Sequence, residues 1–245
     1  MSSTKSEPGS NLQQCYENYV LIDVGANLIN KKFSRDLDSV IKRAKDAGVQ
    51  KIIVPGASLK SSKEALRLAR IYPGTVYCTA GLHPHDAKSW DSESYADLKD
   101  IASNAECVAI GECGLDYNKD FSPIETQREV FEKQIELAKE LKKPLFIHEK
   151  GAHQDLISIL NKYQGDLPPV IIHSFTGSYE EALQYIKMDM YIGFTGTVRS
   201  LFLSHALAFF PSFGLHFAIW NYKFWLFWKR TYVHRETNGT YEDVL

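Results

Sequence analysis

Short apolar runs recur along the first 198 residues, and each is followed by a longer stretch with a single apolar face. The runs are Val20-Leu21-Ile22, Lys51-Ile52-Ile53-Val54, Thr75-Val76-Tyr77-Cys78, Cys107-Val108-Ala109-Ile110, Leu145-Phe146-Ile147, Val170-Ile171-Ile172 and Met190-Tyr191-Ile192. They are short and mostly β-branched or aromatic, as buried parallel strands are. Between them, Leu37, Val40, Ile41, Ala44 and Ala47 keep the i, i+3, i+4 spacing of a helix with one buried face. Phe131, Gln134, Ile135, Ala138 and Leu141 repeat that spacing with one polar intruder. Ser122-Pro123-Ile124-Glu125 predicts a helix start with serine as cap and proline in the first turn. Ser61 with Glu64, and Ser178 with Glu181, have capping-box spacing. Seven strands alternating with six helices predict an α/β fold with a parallel sheet.

The polar residues discriminate between an open sheet and a barrel. No glycine-rich phosphate loop follows the first strand, which argues against a nucleotide-binding open sheet. Chemistry-bearing side chains instead follow several different strands. The third run leads into Gly81-Leu82-His83-Pro84-His85-Asp86, the fourth into Gly111-Glu112-Cys113-Gly114-Leu115-Asp116-Tyr117, the fifth into His148-Glu149-Lys150 and the sixth into His173-Ser174. Strand C-termini converge on one face of a (β/α)₈ barrel, whereas an open sheet gathers such groups at one crevice. A barrel is the better reading.

Two histidines and a glutamate brought together in this way suit a divalent metal. Glu112 is the natural bridging ligand, since a carboxylate can touch two cations, and strand geometry would aim His148 and His173. One such histidine alone would more often be a core residue; three positions on successive strands make ligation the stronger reading. His83 and His85 flank a proline, and direct ligation, substrate contact and support of a ligand are equal alternatives for them. Asp116 and Tyr117 are candidates for substrate contact, with a turn role as the alternative. His153 is expected on the surface, early in the next helix.

In order and spacing, Asp23-Val-Gly-Ala-Asn-Leu28, Ala80-Gly-Leu-His-Pro-His-Asp86, Ala109-Ile-Gly-Glu-Cys-Gly-Leu-Asp-Tyr117, Ile172-His-Ser-Phe-Thr-Gly177 and Tyr191-Ile-Gly-Phe-Thr-Gly196 resemble the TatD family of metal-dependent deoxyribonucleases. The resemblance covers residues 19–198. It implies a TIM barrel of the metallo-hydrolase kind and hydrolysis of DNA phosphodiesters, with 3′-to-5′ exonuclease action on single strands or ends. It also implies two divalent ions (Mg²⁺, Mn²⁺ or Zn²⁺), with Glu112 bridging them and His148 and His173 as terminal ligands. Asp23-Val-Gly-Ala-Asn27 stands where the wider family has a His-x-His pair, a variant that resembles the TatD subgroup proper. Lys150 stands where the family has arginine, keeping the charge but losing a bidentate grip on phosphate.

Composition changes the picture beyond residue 198. Eleven of the 30 aromatic residues lie between Leu201 and Arg230, and no Asp or Glu occurs from Met190 to Arg235. The resemblance implies an eighth strand with a metal-binding aspartate, and this stretch cannot supply it. The expectation is a barrel without its eighth strand, with strands one and seven left as apolar edges, and impaired activity in a variant product of a gene whose complete form is active. The domain reading is a lead-in over residues 1–18, the barrel over 19–198 and a divergent aromatic-rich tail over 199–245. Leu201 to Tyr222 lacks Lys, Arg, Asp and Glu and is long enough for a membrane span, but His205, Pro211, Gly214 and His216 make it a weak candidate. Alternatives to the nuclease are a non-catalytic or dominant-negative isoform that still holds metal or DNA, and an amidase or lactonase on the same barrel. A net charge of −2 excludes a generally basic DNA-coating protein. Four scattered cysteines without a CxxC pair, and a polar N-terminus, predict a reducing cytoplasmic or nuclear setting and no secretion.

Overall fold

The computed structural model describes residues 21–194 and, further along the chain, the backbone of two strands, His216–Trp220 and Lys223–Trp228. The strands are β1 (Leu21–Val24), β2 (Val49–Val54), β3 (Val76–Ala80), β4 (Cys107–Asp116), β5 (Leu145–Lys150), β6 (Val170–His173), β7 (Tyr191–Phe194), β8 (His216–Trp220) and β9 (Lys223–Trp228). Helices α1 (Leu37–Asp46), α2 (Leu59–Ile71), α3 (Ser94–Ala102), α4 (Ile124–Leu141), α5 (His153–Lys162) and α6 (Tyr179–Lys187) alternate with the first seven strands. Two 3-10 turns, Lys31–Phe33 and Pro84–Ser89, follow β1 and β3.

Strands β1 to β7 pair in sequence order and all in parallel, which places the C-terminal ends of all seven on one face. Beyond β7 the pattern changes. β9 pairs antiparallel with β7 through Ile192↔Trp228 and Phe194↔Leu226, and β8 pairs antiparallel with β9. β8 then lies beside β1. The expectation that β7 would be an open edge is therefore corrected: an antiparallel hairpin from the aromatic tail supplies the ladder partner. A parallel eighth strand is not present among the described residues. The same hairpin bears on the membrane reading. Within the span 201–222, His216–Trp220 is strand and the rest lies outside the described residues. Among the described residues no helix is long and apolar enough to cross a membrane.

Two apolar layers sandwich the sheet. Between sheet and helices, Phe131, Ile135 and Ala138 of α4, Leu156 and Leu160 of α5 and Tyr185 of α6 are buried against Leu145, Ile147 and Ile172. On the opposite, inner face of the strands, Val24, Ile53, Ala109 and Phe146 form a second cluster. This alternation is what a strand with one face to the helices and one to the barrel interior requires.

Helix starts deviate from expectation in two places. The capping box of α2 is made by Ser58 and Ser61, one turn earlier than the Ser61–Glu64 spacing implied. Helix α4 begins at Ile124 with no side-chain cap, because the Ser122 hydroxyl is committed elsewhere. The box of Ser178 and Glu181 at α6 forms as the spacing predicts.

Candidate metal centre

Glu112 sits inside β4, not after it. Gly111 pairs with Phe146 of β5 and Cys113 with Ile147, so Glu112 is the unpaired residue of a bulge, a device that re-aims a side chain. Its N–H donates to the Gly56 carbonyl at 2.7 Å, which ties the bulge to the loop after β2. Gly111 has φ +142°, and a Cβ there would stand 2.1 Å from the Phe146 carbonyl oxygen. A Cβ on Gly81 would stand 2.4 Å from the Gly111 carbonyl carbon, so the end of β3 and the bulge approach at glycine–glycine distance. The Gly111–Glu112 peptide is cis, and the Thr79 hydroxyl donates to the Gly111 carbonyl behind it.

Around the carboxylate so placed, three imidazoles converge. Glu112 Oε1 lies 3.2 Å from His148 Nδ1, 3.8 Å from His83 Nε2 and 3.9 Å from His173 Nε2. His148 belongs to β5 and pairs in register with His173, the last residue of β6. The His173 ring packs on Phe146, centroids 4.5 Å apart, so the polar cluster rests on the apolar filling of the barrel. His148 bridges to a second acid, its Nε2 3.1 Å from Asp116 Oδ2, and His85 Nε2 reaches the same oxygen at 2.7 Å. Ring nitrogens of His83, His85 and His148 all lie within 4.8 Å of one another, a spacing one cation can bridge. His83 Nδ1 accepts the His85 N–H at 3.2 Å, which leaves Nε2 to carry the hydrogen of the neutral ring, towards Glu112.

The charge states follow from burial and contacts. Burial opposes the charge on Glu112, but the hydrogen bond from His148 and the imidazoles of His173, His83 and His148 outweigh it and hold the carboxyl at about 2. Burial pushes His83 and His173 down to about 4, against the pull of Glu112. At neutral pH both rings are uncharged, so the His148 hydrogen bond is the contact that sustains the Glu112 charge. Asp116 also lies below the usual carboxylate range: burial raises it, and the bonds from His85 and His148 lower it further. An ionised carboxylate beside the uncharged rings of His83 and His173 is a donor set suited to a divalent ion.

Two glutamines of α4 fix the loops that carry these groups. Gln134 receives the Leu82 N–H at 2.8 Å and donates to the Leu82 carbonyl at 3.0 Å, clipping the segment before His83 and His85. Gln127, two turns earlier, receives the Asp116 N–H at 2.9 Å and donates to the Asp116 and Ser122 carbonyls. Both are buried. Sequence reading noticed Gln134 only as an intruder on an apolar face and missed Gln127. The available signal was a pair of amides two turns apart on that face, since buried amides need partners. A cavity of about 550 Å³ opens beside the cluster, running from Glu112 and His83 to Lys88 and Phe121.

The remaining candidates lie elsewhere. Tyr117 turns away from the cluster; its hydroxyl donates to Asp155 at 2.8 Å and accepts from Arg128 at 3.0 Å. Lys150 donates to the Ser174 carbonyl at 2.6 Å and to Thr176 at 2.8 Å, and lines a separate cavity of about 200 Å³ with Asn118 and Glu181. Burial lowers its pKa. His153 is buried, contrary to the surface expectation, because its ring packs edge-on against Tyr185 and pairs with Gln184 at 2.9 Å.

A family model described as TatD related DNase matches residues 22–205 of the chain. The chain belongs to the TatD family. The TatD relatives include a 3'-5' ssDNA/RNA exonuclease TatD of Edwardsiella piscicida, 40% identical over 178 residues, or 73% of this chain and 68% of that protein. Another, so named in Cronobacter turicensis, is 41% identical over 196 residues, or 78% of this chain and 74% of that protein. Among solved structures, a TatD homologue from Escherichia coli K12 is similar with a TM-score of 0.65 and 31% identity, over 70% of this chain and 66% of that one. A TatD family hydrolase from Entamoeba histolytica gives 0.67 and 28%, over 72% and 65%. The chain thus spans about two thirds to three quarters of the length of these relatives. Its fold is that of the TatD metallo-hydrolase barrels, with the antiparallel hairpin standing after β7.

Proposed function

We propose that the chain is a divalent-metal-dependent nuclease that removes nucleotides from the 3′ ends of single-stranded DNA. The observation that carries this reading is the Glu112 carboxylate oxygen lying 3.2 to 3.9 Å from ring nitrogens of His148, His83 and His173 at the C-terminal face of a TatD barrel. Glu112, His148 and His173 would hold two divalent ions. When bound, such ions polarise the phosphoryl oxygen and make a water acidic enough to attack at neutral pH.

The chain's own residues supply the rest. Glu112 stays ionised and accepts the His148 hydrogen bond, which fixes that ring. Asp116 orients both His148 and His85 through one oxygen. His83 and His85 line the cavity where a phosphate would lie and act as contacts to it. Lys150, bound to Ser174 and Thr176, supplies a cation one loop away, at the neighbouring cavity. Activity is expected to be slower than in the named relatives, because residues 190–235 carry no carboxylate.

The test is nucleotide release from 3′-labelled single-stranded DNA with Mg²⁺ or Mn²⁺, on monodisperse protein and on Glu112→Gln. Metal-dependent release that is lost in the variant is the expected result. Equal release by both proteins would refute the assignment of the site.

A further inference from the structure

One large apolar side chain at the site is exposed to solvent. Phe121, in the loop between β4 and α4, is 52% exposed although its neighbours are tightly held. Ser122 is buried, donating to the His85 carbonyl at 2.8 Å and accepting the Lys88 N–H at 3.1 Å. The loop's other end is fixed by the Asn118 N–H on Asp116 at 3.0 Å, and Gln127 holds the Ser122 carbonyl. Phe121 therefore stands in water because the loop is built to present it there.

Its surroundings say what it faces. The ring lies 4.7 Å from the His85 imidazole at 59°, and His85 is bonded to Asp116, which also holds His148. Phe121 and Glu112 border the same cavity of about 550 Å³, within the roughly 300–1,000 Å³ typical of small-molecule sites. Lys88, Asp86, His83 and His85 border it too, and the large apolar face in this lining is the Phe121 ring. Aromatic faces bind unpaired bases of any sequence, because every base has a π-face, whereas a base stacked inside a duplex cannot offer one.

We propose that Phe121 is a stacking platform for the base beside the phosphate being cleaved, and so a determinant of preference for unpaired ends. The inference rests on the nuclease reading above. It is tested by binding, not turnover, using fluorescence anisotropy on the full chain without divalent ions. The probes are a labelled single-stranded oligonucleotide and two versions with an abasic residue at the terminal or the penultimate 3′ position. The protein should bind the intact strand roughly 5- to 150-fold more tightly than one of the abasic strands, the range that one base–aromatic stack contributes. Phe121→Ala should bind intact and abasic strands alike, and Phe121→Tyr should restore the difference. Retained discrimination in Phe121→Ala, or DNA binding without discrimination in the unaltered protein, would overturn the stacking role and leave the nuclease reading standing. No binding to any strand, together with no nucleotide release, would overturn both.

Discussion

Replacing Gln134 by leucine should destabilise the protein by about 2–5 kcal/mol, although the substitution puts an apolar side chain on an apolar helix face. The side chain is fully buried and spans from α4 to both backbone groups of Leu82, itself 2% exposed. Leucine nearly conserves volume, so no large cavity term enters. What changes is that one N–H and one C=O lose their partner where water cannot replace it, and each such group costs about 1–3 kcal/mol. Added apolar burial offsets a part of this, which brings the upper bound below the full sum. Urea unfolding followed by circular dichroism measures the change through the midpoint at constant slope. Calorimetric titration with Mn²⁺ should show weaker binding as well, because the clipped segment leads to His83, whose ring packs 3.8 Å from the Glu112 carboxylate. A stability change below about 0.5 kcal/mol, the range of an ordinary surface substitution, would refute the reasoning.

Gly111→Ala should cost several kcal/mol or prevent soluble expression, because a Cβ there meets the Phe146 carbonyl at 2.1 Å; thermal unfolding and yield measure it. Tyr117→Phe should lower stability by only about 0.5–1.5 kcal/mol and leave nucleotide release within about twofold, since its hydroxyl serves Asp155 and Arg128 and not the cluster. Phe131→Ala, at a fully buried position between α4 and the sheet, should cost about 3–5 kcal/mol in urea unfolding.

The alternation of strands and helices was legible because each of β1 to β7 carries a run of branched or aromatic residues and each helix a single apolar stripe. Where the structure departs from that reading, the cause is local. β4 continues to Asp116 through Gly111, Glu112 and Gly114, residues that read as loop and are tolerated because the bulge needs glycine where backbones approach. The convergence of His148 and His173 was legible because parallel pairing brings like ends together, whereas the aim of Glu112 depends on the bulge inside β4. The parts played by Gln127, Gln134 and Phe121 were not, because each depends on a partner distant in sequence or on exposure that no periodicity encodes. His153 looked like a surface residue at a helix start, and only the packing of Tyr185 and Gln184 shows why it is buried. In the tail, the charge-free run from Leu201 to Tyr222 suggested a weak candidate for a membrane span, and it obscured the β-prone aromatic runs at His216–Trp220 and Lys223–Trp228 that form the hairpin.

The most direct test of the account is a calorimetric titration of Mn²⁺ into the metal-free chain and into Glu112→Gln. The variant keeps the shape of the side chain and removes only its charge. If Glu112 anchors a metal centre with His148 and His173, the unaltered chain binds Mn²⁺ and the variant binds at least about tenfold more weakly, a loss of ~1.4 kcal/mol. Equal affinity in the two proteins would contradict the account.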